Sequence, residues 1–326
     1  MIERVIDLKA LEHNYGEVLK LTKGENIMAV VKSNAYGHGI REVSLKLYSL
    51  GVRRFLISSI NDYKPVSDFP AEFLLLYYDP LDRQTLQELS NRDNVVFNLY
   101  GWEALNSLPK GSRVHIEIDT GMNRTGIKPD DFEGFYKKAK ERFRVEGVFT
   151  HFPKAYDEEF SRKQIEIFEE LTKDLPVKRH INNSSGLLKF GPIYDFSRVG
   201  ILLYGYGHKN LKPVKEVYSK VIQVKRVKKG ETVSYDGAFI CDDGFLGIVP
   251  LGYALGLRRC KNFEVFINGK FFKVAGWITM DAFMVFSKDE DIRVGDRVEI
   301  LGKNNTADKI AKIWNTIPYE VLTSLP

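Results

Sequence analysis

A lysine at the end of a short apolar run is the residue of this sequence best suited to covalent chemistry. The run Ile27–Val31 leads directly into Lys32, and Tyr36 and two glycines follow closely. If the run is a strand of a parallel barrel, this lysine points into the mouth of the barrel. Loss of water there lowers the pKa of an amine and favours Schiff-base formation with an aldehyde. The alternative is a solvated lysine that ends a strand.

Seven further apolar runs of strand length provide the frame that such a lysine needs. The eight runs are Ile27–Val31, Arg53–Ile57, Glu72–Tyr77, Asn94–Leu99, Arg113–Ile118, Val145–Thr150, Val177–Ile181 and Phe196–Leu203. Segments with helical spacing of apolar residues, such as Leu8–Leu21 and Asp157–Leu175, alternate with them. Eight strands that alternate with helices predict an α/β fold, a (β/α)8 barrel of the TIM type. An open doubly wound sheet is less favoured, because no Gly-rich dinucleotide fingerprint follows an early strand.

The pattern changes near Leu211–Pro213, and strand-like alternation dominates the remainder of the chain. The alternating segments are Val217–Val227, Thr232–Ile240, Phe245–Leu251, Phe263–Ile267, Phe271–Ala275, Asp281–Phe286 and Arg297–Leu301. Asn268-Gly269 is a strong hairpin signal, and Ala307–Trp314 has a helical pattern. We therefore predict two domains, a barrel over residues 1–211 and a mostly β domain over residues 212–326.

Composition excludes several classes of protein. The 326 residues are 44% hydrophobic and 12% aromatic, which excludes a disordered chain. The 48 basic and 43 acidic residues are spread without a basic block, so we expect no nucleic-acid partner. The N-terminus has no apolar signal region and no long apolar window occurs, so we expect a cytoplasmic protein without a membrane partner. We expect the two cysteines, Cys241 and Cys260, to be buried hydrophobes in a reducing compartment.

Further motifs give the chain a family resemblance over almost its whole length. The motifs are Asp119–Gly126, Thr150–Phe152, His180–Ser184, Arg198–Ile201, Tyr204-Gly205, Val233–Tyr235, Gly252–Ala254, Met280-Asp281 and Ile317–Val321. Together with the segment around Lys32, they resemble the alanine racemases in content and in order. One such motif would be weak evidence, but this series across both domains is specific.

The resemblance implies pyridoxal 5'-phosphate as the cofactor. It implies that Lys32 holds the cofactor as a Schiff base and acts as a base once an amino acid has displaced it to form the external aldimine. Arg198 would meet the pyridine nitrogen and, because arginine keeps its proton, would leave that nitrogen neutral. His151 would lie behind Arg198 and orient it, whereas by itself it reads equally well as a core histidine.

The resemblance also implies a site for the cofactor phosphate near the last two barrel strands. Ser184 would cap a helix N-terminus there, and the backbone amides of Gly200 and Ile201 would donate to the phosphate. The hydroxyls of Tyr36 and Tyr319 would complete the set. Either tyrosine could instead be a packed ring with a solvated hydroxyl.

Racemisation needs a proton donor or acceptor on each face of a planar intermediate. The family pattern makes Tyr235 the second base, which acts in the site of a partner subunit and so requires a homodimer. Arg124 is expected to face the substrate carboxylate or the cofactor phenolate, and the amide of Met280 is expected near that carboxylate. In the family, the tyrosines that match Tyr253 and Tyr319 narrow the entrance, so the resemblance implies a small substrate. We assign no metal site.

The sequence departs from the family pattern at several positions. Many relatives carry a carbamylated lysine where this chain has Glu117, and our hypothesis is that this carboxylate pairs with Arg124 in its place. Leu255 and Trp277 stand where relatives often carry an acid and an arginine, and the acid expected after His151-Phe152 is displaced to Asp157. These departures concern substrate access more than the chemistry.

We therefore expect a pyridoxal-phosphate-dependent racemase that interconverts L- and D-alanine and supplies D-alanine for peptidoglycan. Racemisation of another small amino acid, such as serine, is the main alternative. A decarboxylase of similar architecture is less favoured, because its Gly-rich phosphate loop and Cys-containing segment are missing. A non-catalytic cofactor-binding protein is disfavoured, because such relatives lack the β domain.

Overall fold

A computed structural model of the chain describes residues 2–24, 27–240 and 242–326. The chain forms two compact units. The barrel unit contains Leu11–Ala35 and Gly39–Leu211, and the C-terminal unit contains Met1–Ala10, Tyr36–His38 and Lys212–Pro326. We predicted a barrel over residues 1–211 and a second domain over residues 212–326. That prediction assigns Met1–Ala10 and Tyr36–His38 to the barrel, whereas the structure groups both segments with the C-terminal unit.

The strands of both units follow one another along the chain. They are β1 Glu3–Ile6, β2 Ile27–Val30, β3 Arg54–Ile57, β4 Glu72–Leu75, β5 Val95–Leu99, β6 Arg113–Glu117, β7 Arg144–Phe149, β8 Lys178–His180, β9 Ser197–Val199, β10 Lys215–Lys220, β11 Gln223–Val227, β12 Thr232–Val233, β13 Phe239–Ile240, β14 Gly244–Val249, β15 Glu264–Ile267, β16 Lys270–Lys273, β17 Phe283–Ser287 and β18 Arg297–Leu301.

The helical segments alternate with the first nine strands and return at the C-terminus. They are α1 Leu8–Leu21, α2 Lys32–Gly37, α3 Ile40–Ser49, α4 Ile60–Tyr63, α5 Arg83–Ser90, α6 Trp102–Ser107, α7 Phe132–Arg142, α8 Glu158–Thr172, α9 Ser184–Phe190, α10 Ala307–Trp314 and α11 Pro318–Ser324. Local chemistry sets several starts, because a side-chain oxygen before a helix can accept from a free backbone N–H of the first turn. Asp157 accepts from the N–H of Phe160 at 3.1 Å, so the displaced acid of the family pattern caps α8.

Eight parallel strands form the sheet of the barrel unit. Their order is β8-β7-β6-β5-β4-β3-β2-β9, and the N–H of Arg198 donates to the carbonyl of Asn182, which follows β8, so that the barrel is nearly closed. Each predicted apolar run overlaps one of these strands, with β7 beginning one residue before its run, and the predicted barrel is confirmed. The last run is much shorter than predicted, because the chain turns at Gly200 after β9.

Polar side chains occupy alternate positions of β6. Arg113, at the start of the strand, pairs with Glu146 at 2.6 Å, and the buried His115 and Glu117 follow at a spacing of two. A Cβ atom at Gly147, on the neighbouring strand, would lie 2.8 Å from three atoms of the His115 ring. This glycine therefore makes room for a buried histidine in the barrel.

The C-terminal unit is mostly antiparallel, as predicted. One sheet has the order β1-β10-β18-β15-β16, a second has the order β11-β14-β17, and β12 pairs with β13. Asn268 and Gly269 have φ values of 47° and 85° and connect β15 to β16, which confirms the predicted hairpin.

Two predicted continuous segments of this unit are divided in the structure. Val217–Val227 is split between β10 and β11, which lie in different sheets, because the chain changes sheet at Val221. Thr232–Ile240 is interrupted by a short 3-10 turn over Tyr235–Gly237. Strand β1 and helix α11 were not predicted, because both are short and neither has a clear apolar period.

The cysteines differ in part from the expectation that both are buried. Cys260 is half-buried rather than fully buried, and Cys241 lies outside the described residues. In the described part of the chain, no helix combines the length and the apolar character that crossing a membrane requires.

Candidate active site

Lys32 begins a helical turn of unusual hand, separated from β2 only by Val31. The residues that follow it, Ser33, Asn34, Ala35 and Tyr36, have φ values between 53° and 55°, which is the left-handed region. For residues with a Cβ atom, this conformation costs roughly 1–2 kcal/mol each. Strain of this kind persists only where the surroundings hold it, and it concentrates at functional sites.

A buried aspartate holds the start of this strained turn. The carboxylate of Asp62, in α4, accepts from the backbone N–H of Ser33 at 3.2 Å and from that of Asn34 at 3.1 Å. It also accepts from the N–H of Ser58 at 3.0 Å and from its hydroxyl at 2.5 Å. Asp62 was not predicted from the sequence, since a single acid in a short segment without a motif carries no distinguishing signal.

The environment of Lys32 favours its neutral amine. Desolvation lowers its pKa first, the positive charge of Arg124 lowers it further, and the carboxylate of Asp62 opposes both. A lowered pKa increases the fraction of unprotonated amine near neutral pH, and that form is the nucleophile and the base. The structure thus gives Lys32 the chemical character expected from its position.

Arg198, in β9, is buried and held by a dense set of acceptors. Its Nη1 donates to His180 Nδ1 at 2.7 Å and to the His180 carbonyl at 3.1 Å. Its Nη2 donates to the carbonyls of Thr150 at 2.7 Å and Ile181 at 3.0 Å, and contacts His151 Nδ1 at 3.3 Å. No described residue accepts a hydrogen bond from its Nε. Desolvation lowers the pKa of Arg198 to about 9, which leaves it protonated at neutral pH.

Two further histidines continue this network, and no role was predicted for either. Because an arginine can only donate, Nδ1 of His180 accepts and the ring proton lies on Nε2. That proton reaches His115 Nδ1 over 2.9 Å. Burial lowers the pKa of both rings, that of His115 to about 4, so both are neutral at pH 7. The alternation of Arg113, His115 and Glu117 along β6 was the available signal.

His151 is neutral for the same reason. Desolvation lowers its pKa well below the usual value, and the charges of Arg198, Arg124 and Lys32 lower it further. Four of the predicted residues, Lys32, Arg124, His151 and Arg198, therefore share one electrostatic environment. A neutral imidazole can accept from the guanidinium of Arg198, as the 3.3 Å contact requires.

Glu117 is the buried carboxylate of this environment. Its Oε2 accepts from Asn98 Nδ2 at 2.6 Å and from the Thr125 hydroxyl at 2.7 Å, and its Oε1 lies 3.7 Å from Arg124 Nη2. Its negative charge also raises the pKa of Arg198, against the effect of desolvation. Glu117 therefore interacts with both arginines.

The buried Ser184 and Gly200 are in direct contact. The N–H of Gly200 donates to the Ser184 hydroxyl at 3.1 Å, and Ile201, the residue after Gly200, is also buried. The predicted cap at Ser184 is wrong, because Asn183 accepts from the N–H of Gly186 at 2.8 Å and caps α9. Ser184 is instead the first residue of that helix, so its hydroxyl is not used for capping.

Within the C-terminal unit, the structure brings Tyr36 and Tyr319 together. Their ring centroids are 5.7 Å apart, with an interplanar angle of 52°. Desolvation raises the pKa of both phenols, so both hydroxyls keep their protons and can donate near neutral pH. Tyr36 is the last residue of the left-handed turn before Gly37.

Tyr235, Tyr253 and Met280 have exposed side chains on segments that are joined by backbone and side-chain hydrogen bonds. The N–H of Tyr253 donates to the carbonyl of Thr279 at 3.0 Å, and the hydroxyl of Ser234, before Tyr235, donates to the carbonyl of Trp277 at 2.8 Å. Tyr235 is 54% exposed and Met280 is 50% exposed. These side chains are therefore available to contacts outside their own unit.

Two positions that depart from the family pattern lie near these segments. Leu255 is exposed at the end of the 3-10 turn Tyr253–Leu255. The ring of Trp277 lies under two cations, Arg259 at 4.3 Å and Lys261 at 4.5 Å from its centroid. Positive charge is thus present next to Trp277, although the arginine of the family pattern is not.

Comparison with known proteins relates the chain to one family over nearly its full length. Residues 6–208 match the family model for the alanine racemase N-terminal domain, and residues 214–326 match that for the alanine racemase C-terminal domain. An alanine racemase from Carboxydothermus hydrogenoformans is 34% identical, over 98% of this chain and 96% of that protein. One from Borreliella burgdorferi is 32% identical, over 98% and 94%.

Solved structures give the same relation. An alanine racemase from Clostridium difficile superposes with a TM-score of 0.92 at 28% identity, covering 100% of this chain and 93% of that one. The alanine racemase from Bacillus anthracis with bound L-Ala-P has a TM-score of 0.90 at 28% identity, covering 100% and 92%.

Proposed function

The chain belongs to the alanine racemase family, and we propose that it is a pyridoxal-phosphate-dependent isomerase that interconverts L- and D-alanine. The arrangement around Arg198 carries the proposal. Its two terminal nitrogens are held by five contacts, whereas its Nε makes no hydrogen bond to any described residue. A fixed cation with one unused donor suits a ligand ring that carries a neutral acceptor nitrogen.

The residues present fit pyridoxal 5'-phosphate. An aldehyde needs an amine that is partly unprotonated, which Lys32 supplies through its lowered pKa. We propose that Lys32 holds the cofactor covalently, that Arg198 Nε donates to the pyridine nitrogen, and that His151 keeps the guanidinium in place. Because arginine does not give up its proton, Arg198 would leave the pyridine nitrogen neutral.

For the phosphate we propose the Ser184 hydroxyl, the amides of Gly200 and Ile201, and the hydroxyls of Tyr36 and Tyr319. The contact between Gly200 and Ser184 places a hydroxyl and a backbone amide side by side. The Ser184 hydroxyl proton is free to donate, and the Gly200 N–H would exchange its present acceptor, Ser184, for the phosphate. Both tyrosines keep their phenolic protons and can donate to an anion.

Racemisation requires removal of the Cα proton of alanine on one face and its return on the other. Bound pyridoxal phosphate supplies the electron withdrawal that makes this proton acidic. We propose that the Lys32 amine exchanges the proton on one face and the Tyr235 hydroxyl exchanges it on the other. The exposure of Tyr235 supports a role in the site of a second subunit, and hence a homodimer whose β-rich domain, residues 212–326, completes its partner's site.

The substrate carboxylate needs cationic and amide donors. We propose that Arg124 and the backbone N–H of Met280 bind it, and that Tyr253 limits the size of the side chain. Glu117 would orient Arg124 through the contact at 3.7 Å and so replace the carbamylated lysine of other members. An ordinary buried ion pair without effect on catalysis is the alternative for Glu117.

We also propose that the enzyme acts in the cytoplasm and that its D-alanine is used for peptidoglycan. Family membership supports this placement, and none of the comparisons favours serine over alanine as the substrate.

The experiment is a chiral assay of the purified protein with pyridoxal phosphate and L-alanine, beside Lys32→Ala. We expect D-alanine from the wild type and none from Lys32→Ala, with a visible band of covalently bound cofactor only in the wild type. A cofactor-loaded wild type that produces no D-alanine would overturn the proposal. A panel of L-amino acids, ranked by turnover, tests alanine against serine.

A further inference from the structure

A buried lysine in the C-terminal unit has no part in the function proposed above. Lys215, the first residue of β10, is 0% exposed. Its Nζ donates to the carbonyl of Leu322 at 3.1 Å and to that of Leu325 at 2.7 Å. No carboxylate among the described residues forms an ion pair with it, and the nearby charge that acts on it is that of Arg4.

The two acceptors lie at the carboxyl end of α11. The last carbonyls of a helix have no partner within the helix and carry partial negative charge, so an ammonium group placed there satisfies and stabilises them. Burial of a charge without a carboxylate is unfavourable, and desolvation lowers the pKa of Lys215 to about 7. An apolar side chain would avoid this cost, so the lysine at this position calls for a specific explanation.

A second segment meets the same point of the helix. Gly37 has a φ of +76°, and a Cβ atom there would lie 2.5 Å from the Leu322 carbonyl oxygen and 2.9 Å from Lys215 Nζ. The backbone that follows Tyr36 therefore packs directly on the lysine and the helix end. Since Tyr319 is in the first turn of α11, Lys215 contacts both elements that bring Tyr36 and Tyr319 together.

We propose that Lys215 is a positioning residue, which holds the end of α11 against Gly37 and thereby fixes the Tyr319 ring beside that of Tyr36. This inference rests on the proposed function, in which both hydroxyls bind the cofactor phosphate. Lys215 acts through Tyr319 and does not itself touch cofactor or substrate.

A double-mutant cycle tests this route. The Kd for pyridoxal phosphate is measured by fluorescence titration for the wild type, Lys215→Met, Tyr319→Phe and the double variant. The control is Lys220→Met, because Lys220 is an exposed lysine of the same strand. With Tyr319 intact, we expect Lys215→Met to weaken cofactor binding about fivefold, as for the loss of one hydrogen bond. In the Tyr319→Phe background, and for Lys220→Met, we expect no further loss.

The outcomes separate the two proposals. If the wild type does not bind pyridoxal phosphate, the proposed function fails. If the wild type binds but Lys215→Met binds equally well, or loses the same factor in both Tyr319 backgrounds, only the role of Lys215 is wrong. Should Lys215→Met not fold, Lys215→Gln, which keeps an N–H donor without the charge, is used in the same cycle and judged by the same criteria.

Discussion

Nδ1 of His115 lies 2.9 Å from Nε2 of His180, and both rings are buried within the barrel unit. The pair ends at Arg198, whose Nη1 donates to the other nitrogen of His180 at 2.7 Å. Because the arginine can only donate, it determines which nitrogen of each ring carries the proton. The two neutral histidines thus form a hydrogen-bonded chain that ends at the Arg198 guanidinium, the group that we propose binds the cofactor.

This pair predicts a loss of stability in mild acid. Burial lowers the pKa of His115 to about 4 in the folded chain, whereas an unfolded histidine titrates near 6.5. Between these values the unfolded state binds more protons, so the free energy of unfolding falls as the pH drops from about 6.5 to about 4. The contribution of His115 is about 3 kcal/mol.

Urea unfolding at several pH values between 4 and 7.5 measures this loss. His115→Asn, which removes the titrating group, should show a shallower dependence than the wild type. His13→Asn, at a more exposed position outside the pair, serves as the control. Parallel curves for wild type and His115→Asn would show that His115 does not titrate as its burial implies.

Gly147 is predicted to tolerate no side chain. A Cβ atom there would lie 2.8 Å from three ring atoms of His115, and a buried aromatic ring in a packed barrel has little room to shift. Gly147→Ala should lower the free energy of unfolding by about 1–3 kcal/mol. Chemical denaturation of the purified variant measures the change.

Gly134, in α7, offers a matched control for this substitution. Nothing lies within 4 Å of a Cβ atom at Gly134, and alanine is the better helix former, so Gly134→Ala should be neutral or stabilising. A Gly147→Ala protein as stable as Gly134→Ala would contradict the steric argument.

Glu117→Gln is predicted to impair the proposed alanine racemisation. The amide has nearly the shape of the carboxylate but lacks the charge that faces Arg124 and Arg198. We expect kcat/KM for L-alanine to fall about tenfold, mainly through a higher KM, because a buried charged partner of Arg124 is lost. Steady-state kinetics of Glu117→Gln and Glu117→Asp measure the effect, with partial activity expected for the aspartate. Unchanged affinity and turnover in Glu117→Gln would leave Glu117 as a structural ion pair.

Tyr235 is predicted to act across subunits. Lys32→Ala and Tyr235→Phe should each lose more than about 99.9% of racemase activity, as expected for removal of a base, and Tyr235→Phe should still bind pyridoxal phosphate. If the two variants are mixed and allowed to exchange subunits, each mixed dimer contains one site with both residues intact. Activity should therefore reappear in the mixture.

A mixture that exchanges subunits, as followed by mass spectrometry, but stays inactive would place Tyr235 in the site of its own subunit. Each variant incubated alone under the same conditions is the control.

Local sequence patterns account for most of the architecture. The eight barrel strands coincide with the predicted runs, most of which are apolar because strands in a parallel sheet are covered on both faces. Strands β6, β8 and β9 are exceptions, since each carries charged or polar side chains. Asn268-Gly269 determined a hairpin, because both residues accept positive φ. Lys32 was recognisable because it directly follows such a run, and motif order indicated the family.

Contacts between residues distant in sequence were decided only in the tertiary structure. No local pattern pairs His115 with His180, places Asp62 beneath the left-handed turn after Lys32, or adds β1 to β10. Lys215 belongs to the same class, since nothing around it in the sequence indicates that helix carbonyls will surround its ammonium. The sequence by itself determined which segments become strands and helices and which family the motifs resemble. Only the folded chain decided which polar groups are buried together. Each buried polar group needs a hydrogen-bond partner, and these partners come from segments distant in sequence that tertiary packing brings together.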